Sequence, residues 1–458
     1  MSSLTHVRKT DKEIYDLVKA EEKRQKDVQE MIPSENYTSS SVLETLGTVL
    51  NNKYSEGYPK RRYYQGNAVA DAVEILAQER AKKLFKVESV NVQALSGAAA
   101  NTAAELAVLE NGDTIMGMKL SFGGHLTHGA AGTFSSRFFK SVQYTLGKDG
   151  KLDFKEIEEL AKREKPKLII CGFTAYPREI DFKKFAEIAD KVGAYLMADI
   201  SHIAGLVSAG VHSDPVPYVH IVTTTTHKTL RGPRGALIMV TAKGLKKDPD
   251  LPKKIDSAII PGLQGGPHDN QTAAIAVALK EADTKSFAKY AAQIVQNAKA
   301  LAEHLTAKGY DLVSGGTDNH LLLIDLKNKN VNGRVAALAL EKAGIVLNYN
   351  GVPYDPMPPL YASGIRLGTP AITTRGMKEK DMKKVANWID RAISEVLDCM
   401  LPADDNSVDP LRSEASKLTT REKRQELMKE YRGRIRKNKE LSTIAKEVKE
   451  FCKPFPLP

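Results

Sequence analysis

From Lys167 onward, short apolar runs alternate with amphipathic helical stretches, and this alternation restricts the chain to an α/β fold built on a mostly parallel sheet. Leu168–Cys171, Ala194–Ala198, His220–Val222 and Ala236–Val240 read as strands, with Phe182–Val192 a helix between the first two. Thr174, Asp199 and Lys228 fall at or just past strand C-termini. That is the edge at which open α/β sheets bind ligands, so a hydroxyl, a carboxylate and an amine are expected in one crevice.

The lysine has an informative context. Residues 222–235 read Val-Thr-Thr-Thr-Thr-His-Lys-Thr-Leu-Arg-Gly-Pro-Arg-Gly. A hydroxyl-rich approach to one lysine, between two strands, suggests an amine held for covalent chemistry with a carbonyl, with His227 beside it as a further candidate. A solvated surface turn is the bland alternative, and it leaves the threonines and glycines unexplained. Upstream, the strand Val90–Gln93 runs through Ser96-Gly97 into an alanine-rich helix. That order presents backbone N–H groups to a phosphate, although Ser-Gly is also an ordinary helix cap. Arg366, among small and apolar residues in the strand Ser363–Thr369, could grip a substrate carboxylate or make a structural ion pair. His125 and His128 lie in the glycine-rich segment Gly123–Gly129, but no third ligand follows at metal-binding spacing, so no metal is expected. A Schiff-base lysine, an aspartate at a neighbouring strand end and a phosphate cradle are three requirements of pyridoxal phosphate catalysis. A nucleotide-binding α/β enzyme fits the same spacing.

The remaining chain frames these groups. Thr10 and Glu13 form a capping-box pattern for an opening helix to about Gln29, and Asp71 with Glu74 does the same for a helix carrying Val73, Leu76, Ala77 and Leu84 on one face. Between them, the tyrosine-dense loop 53–66 looks like site or interface material. Long helices are expected over 271–307. A smaller α+β unit follows, with strands His320–Leu326, Ile345–Leu347 and Ser363–Thr369 and helices Arg334–Lys342 and Met377–Leu397. The expected division is a helical arm (1–55), a large α/β domain (56–280), a small α+β domain (281–400) and a basic C-terminal extension (401–458). The net charge of +11 is concentrated at the end, where residues 411–458 hold 14 Lys/Arg against 7 Asp/Glu. Interleaved glutamates favour a solvated helix face over a nucleic-acid patch. No apolar run approaches the roughly 20 residues of a membrane span. The three cysteines suit neither a disulfide framework nor a zinc cluster, so a cytoplasmic protein is expected.

With these residues in view, the chain resembles the serine hydroxymethyltransferase family, a fold-type I pyridoxal phosphate family. The lysine motif carries the resemblance, together with Ser34-Glu35-Asn36, Asn52-Lys53-Tyr54, Glu56–Pro59, Arg62-Tyr63-Tyr64, Gly123–Gly129, Ala175-Tyr176-Pro177, His202–Leu206, Gln264–Pro267, Ser314–His320 and Ser363–Gly368. It implies Lys228 as the lysine bearing the cofactor aldehyde and Asp199 as partner of the pyridine nitrogen. His125 would stack on the ring, with His202 and Thr174 near its phenolic oxygen. Ser96 and Gly97 would hold the phosphate, with Tyr54, Gly265 and Gly266 from a second subunit. Ser34 and Arg366 would bind the substrate carboxylate. Glu56 resembles the acid/base residue at the hydroxymethyl group, beside Tyr64. Glu56, Tyr63, Leu120, Gly124, Leu126 and Asn350 match positions that contact folate. The implied activity is reversible transfer of serine's one-carbon unit to tetrahydrofolate by a homodimer or tetramer with shared sites. A folate-independent aldolase or transaldolase of 3-hydroxy amino acids such as threonine is the alternative. The chain departs from the family's usual residues at Leu95, Ala98 and Ala99 around the phosphate loop, and at Phe122, Gln65, Asn67-Ala68-Val69 and Thr174.

Overall fold

Seven strands make the central sheet of this computed structural model, which describes residues 4–403 and 410–458, with backbone alone for 410–418. In chain order they are β1 (Ser89–Asn91), β2 (Thr114–Met118), β3 (Lys140–Tyr144), β4 (Leu168–Cys171), β5 (Tyr195–Asp199), β6 (Ile221–Thr225) and β7 (Ala236–Val240). Their spatial order is β1-β7-β6-β5-β4-β2-β3. From β6 to β3 every pairing is parallel, and β7 alone runs antiparallel to both its neighbours. Every residue of β4, β6 and β7 is buried because helices cover both faces. Ile169, Cys171, Leu196 and Val222 enter the core on one face, and Leu168, Ile170, Met197 and Ile221 the core on the other. Chains of this pattern fold as α/β, as expected.

Two strands of this sheet lie beyond those the sequence suggests. β2 contains Gly117, where a Cβ would sit 2.6 Å from the His128 carbonyl oxygen, and β3 is an edge strand with polar residues at Lys140, Ser141 and Gln143. Neither makes an unbroken apolar run.

The helix starts also differ from their sequence signals. Helix α1 (Lys12–Asp27) is capped by Asp11, whose carboxylate accepts from Ile14 N at 3.0 Å, while Thr10 ends a separate short helix. Helix α2 (Ala68–Phe85) begins before Asp71 and Glu74. Those carboxylates are drawn inward by the buried Arg62, whose Nε and Nη2 donate to them at 2.8 and 2.7 Å. The buried face of α2 is accordingly Ala70, Glu74, Ala77, Ala81 and Phe85, and Leu76 is exposed. Helix α3 (Gly97–Val108) follows β1, and α4 (Phe154–Glu164) and α5 (Phe182–Val192) flank β4. The expected 271–307 stretch divides into α6 (Asp269–Ala282) and α7 (Lys285–Ala307), because Thr284 caps the second helix by accepting from Phe287 N.

The C-terminal unit holds an antiparallel sheet of β8 (Asp311–Leu312), β9 (Leu321–Asp325), β10 (Asn348–Asn350) and β11 (Gly364–Gly368), ordered β8-β9-β11-β10. Helices α8 (Gly333–Lys342) and α9 (Glu379–Ser394) pack with it, and Trp388 is among its fully buried side chains. Helices α10 (Pro410–Lys437) and α11 (Lys439–Cys452) share this core through Met428, Tyr431, Ile435, Ile444 and Val448, and Met31 joins from the N-terminal end. Among the described residues no helix is long and apolar enough to cross a membrane.

Arg375 ties both ends of the chain to this unit. Its guanidinium donates to the Val28, Lys26 and Gln25 carbonyls at the end of α1 and to the Cys452 and Phe455 carbonyls at the end of α11, at 2.8–3.2 Å. Arg375→Met leaves buried carbonyl oxygens without donors. Stability is expected to fall by about 3 kcal/mol, read as a lower denaturant midpoint at unchanged slope.

Candidate active site

The site forms where β4, β5 and β6 end. After β4 the chain turns at Gly172 (φ +130°), where a Cβ would lie 2.0 Å from the Asp199 carbonyl oxygen, so only glycine lets β4 exit this close to β5. Beyond the turn comes Thr174, β5 ends in Asp199, and β6 leads through Thr226 and His227 to Lys228. The N-terminus of α3 enters from the side. Gly97, His125, Thr174, Asp199, His202 and Lys228, all expected from the sequence, line one enclosed cavity.

Asp199 carries the electrostatics. Its Oδ2 accepts from Asn101 Nδ2 at 2.8 Å and pairs with His128 Nε2 at 3.1 Å, and its Oδ1 accepts from Ser201 N at 3.0 Å. Thr223 Oγ1 donates to Asn101 Oδ1 at 2.6 Å and so fixes which way that amide points. Burial opposes the charge on Asp199, but the His128 hydrogen bond and nearby positive charge outweigh it and hold the carboxyl well below its usual range. The carboxylate therefore stays ionised inside the protein.

The threonine run is the wiring of the lysine loop. Beyond Thr223, Thr225 N donates to Ser201 Oγ at 3.0 Å, Thr226 Oγ1 to the Pro233 carbonyl at 2.6 Å, and Thr229 Oγ1 to the His202 carbonyl at 2.9 Å. Asn36 Nδ2 donates to the Lys228 carbonyl at 3.0 Å, and Arg231 closes the turn in the left-handed region (φ +62°) with its guanidinium 4.7 Å from the Tyr290 ring centre. Desolvation brings the Lys228 pKa down to about 8, against the attraction of Asp199. Burial likewise lowers His125 to about 4 and His227 to about 3, and it lowers His202.

At the α3 end, Ser96 Oγ accepts from Ala99 N at 3.4 Å, and a Cβ on Gly97 would meet Thr225 Cγ2 at 2.7 Å. His227 Nδ1 is buried with no hydrogen-bond partner among the described residues. Opposite, Arg366 reaches over from β11. Its Nη1 donates to the Thr174 carbonyl at 2.5 Å and its Nε to Asn348 Oδ1 at 3.1 Å. No carboxylate pairs with it among the described residues, and burial lowers its pKa to about 10. Of the two sequence readings, the structural ion pair is therefore not found among the described residues. Ser34 adjoins this strand, since Pro33 packs on Gly368 and the Met31 carbonyl accepts from Gly368 N at 2.8 Å. Asn350 lies on β10, paired in register with Gly364 of β11. Gly124 accepts from Thr174 Oγ1 at 3.0 Å.

Other candidates gather elsewhere. The Tyr54 and Tyr64 rings meet edge-to-face at 5.2 Å, Tyr54 hydrogen-bonds Glu56, and Gly265 and Gly266 pack beside Glu56 and Tyr54. Tyr54, Tyr63, Tyr64, Leu120 and Leu126 are exposed, and none of this group lines the Lys228 cavity.

Asn101, His128, Ser201 and Asn348 were not expected at the site. Asn101 had one sequence signal, as a lone amide in an alanine helix. The fold brings to His125 and His128 a third donor that sequence spacing could not show. Donor atoms of His125, His128 and Asp199 lie within 4.8 Å of one another. They are already engaged, His128 with Asp199 and His125 Nδ1 with Thr127 Oγ1 at 2.8 Å.

Residues 7–389 match the family model described as serine hydroxymethyltransferase. The chain belongs to the serine hydroxymethyltransferase family. Relatives of that name include one from Desulfotalea psychrophila, 54% identical over 402 residues, covering 88% of this chain and 93% of the relative. Others come from Acidothermus cellulolyticus, 56% identical over 388 residues (84% and 89%), and Rickettsia canadensis, 53% identical over 403 residues (88% and 94%). Membership makes the chain an enzyme with the fold-type I architecture, as its sheet bears out.

In protein free of carbonyl ligands, reductive methylation of Lys228 is expected to rise with pH through a midpoint near 8, because only the neutral amine reacts. Asp199→Asn removes a charge that favours the ammonium form and moves the midpoint lower. Mass spectrometry of the Lys228 peptide reads both.

Proposed function

We propose that the chain catalyses reversible transfer of the serine hydroxymethyl carbon to tetrahydrofolate, yielding glycine and 5,10-methylenetetrahydrofolate, with pyridoxal phosphate held at Lys228. One observation carries this reading: an ionised, buried Asp199 and a lysine of lowered pKa face one cavity. The residues present suit that cofactor. Asp199 can keep a pyridine nitrogen protonated. Gly97 leaves room that any side chain would fill, the first turn of α3 offers backbone N–H groups, and the orphaned His227 Nδ1 adds a polar atom for a phosphate. With Ala98 and Ala99 in that turn, backbone groups and Ser96 do most of the holding.

When bound, pyridoxal phosphate supplies an electron-accepting ring that lets the bond between the serine α-carbon and its hydroxymethyl carbon break. Lys228 supplies the amine that anchors it, and its lowered pKa makes that amine available near neutral pH. His125 would pack against its ring, and Thr174 and His202 would hold its phenolic oxygen. Arg366, with Ser34, would grip the substrate carboxylate and so orient the serine for cleavage. Glu56, beside Tyr64, moves the proton at the serine hydroxyl. Glu56, Tyr63, Leu120, Gly124, Leu126 and Asn350 contact the folate. The separate cluster of exposed Tyr54 and Tyr64 with half-buried Glu56 supports a homodimer or tetramer in which this cluster, with Gly265 and Gly266, completes the cavity of a second copy. A cytoplasmic location belongs to the same reading, in keeping with three free, buried cysteines.

Lys228→Ala is expected to abolish the visible absorbance of lysine-bound pyridoxal phosphate and to reduce serine cleavage by at least about a thousandfold. A colourless variant with full activity would overturn the assignment. Arg366→Lys, which cannot offer a forked pair of donors, is expected to weaken serine by about a hundredfold in kcat/KM.

A further inference from the structure

Helix α10 lies beyond residue 389, where the family match ends, and carries cations that the proposed reaction leaves unused. Met428, Tyr431 and Ile435 bury one side of it in the small-domain core. At about 100° per residue, Lys429, Arg432 and Arg436 follow one flank of that buried seam, while Glu426 and Glu430 turn to the outer side and Glu422 lies about two turns before Lys429 along the helix. The cationic flank faces Arg334 on α8 and Tyr361, and these five side chains line one groove that no carboxylate among the described residues enters. Arg334 is held in place, with its guanidinium 5.2 Å from the Tyr361 ring centre and donating to the Leu360 carbonyl at 3.3 Å.

Among the described residues none of the four cations has an ion-pair partner. Arg391, between α9 and α11, shows how such a charge is neutralised elsewhere, since it pairs with both Glu440 and Glu447. Four like charges drawn together repel one another, and only a multivalent anion removes that repulsion at a single point. Three of them span roughly 10 Å of helix, within reach of one small ligand. Guanidinium forks deliver paired N–H donors to tetrahedral oxyanions. We propose that this groove is a binding site for a compact multivalent anion of the phosphate class, such as a linear triphosphate.

The test is calorimetric titration of the full chain, loaded with pyridoxal phosphate, at about 0.15 M salt. Inorganic triphosphate and adenosine triphosphate are the two probes. Saturable binding of one triphosphate per chain is expected, with affinity at least about tenfold lower in Arg432→Gln/Arg436→Gln. Lys423→Gln/Lys437→Gln, on the outer side of α10, removes the same charge and should leave the affinity within about twofold. Equal affinity for the two probes assigns recognition to the phosphates alone, and tighter adenosine triphosphate adds a nucleoside contact. Either supports the site. Absence of saturable binding, equal losses in the two double variants, or binding of an RNA oligonucleotide where triphosphate fails would each overturn it.

Discussion

A carboxylate that remains charged inside the protein is the constraint around which the site is arranged. Taking Asp199 out of water disfavours its ionised form, and the penalty is offset only by donors fixed in advance. These come from three separate segments: Asn101 on α3, His128 in the glycine-rich loop, and the Ser201 backbone just past β5. Each donor is itself held, Asn101 by Thr223 and the His128 loop by the close approach to Gly117. The elements meeting at the sheet edge are therefore coupled through one anion. Loosening any of them would let Asp199 take up a proton, and an uncharged carboxyl could no longer stabilise a cation across the cavity.

The same economy governs the lysine. Lys228 belongs to a loop whose hydroxyls are spent on backbone carbonyls and on the neighbouring strand, which leaves the amine to face the cavity. Placing an amine opposite an anion would ordinarily raise its pKa. Here desolvation and the nearby guanidinium groups of Arg366 and Arg234 act in the other direction and prevail. Charge balance across the site thus leaves the carboxylate ionised and the amine partly neutral, the two states that imine chemistry needs.

Much of this was legible in the chain. Leu168–Cys171, Phe182–Val192 and Ala236–Val240 match their elements residue for residue, because strands covered on both faces must be apolar throughout and a half-buried helix must alternate at its own period. The residues placed at the strand ends converge as parallel topology requires. What was hidden depended on partners far away in sequence. Asn101 meets Asp199 across 98 positions, and Asp71 with Glu74 gave up a capping role because Arg62 folds back into α2. Local patterns can indicate that a side chain is polar, but they do not say which distant group will claim it. Strands β2 and β3 escaped for a related reason, since a glycine needed for close packing and a polar edge both erase the apolar signal.

The Arg375 tie and the core it closes bear on how the chain is made. Residues 89–240 contain every strand of the central sheet, so that sheet can form while synthesis is still in progress. The second core cannot, for it combines Met31 with Ile444 and Val448, and Arg375 finds its last acceptor at Phe455. Until residues 444–455 have been made, β9 and β11 lack part of their cover and Arg366 lacks a settled support. Within one chain, Arg366 therefore settles only after Lys228 and Asp199 are already in place.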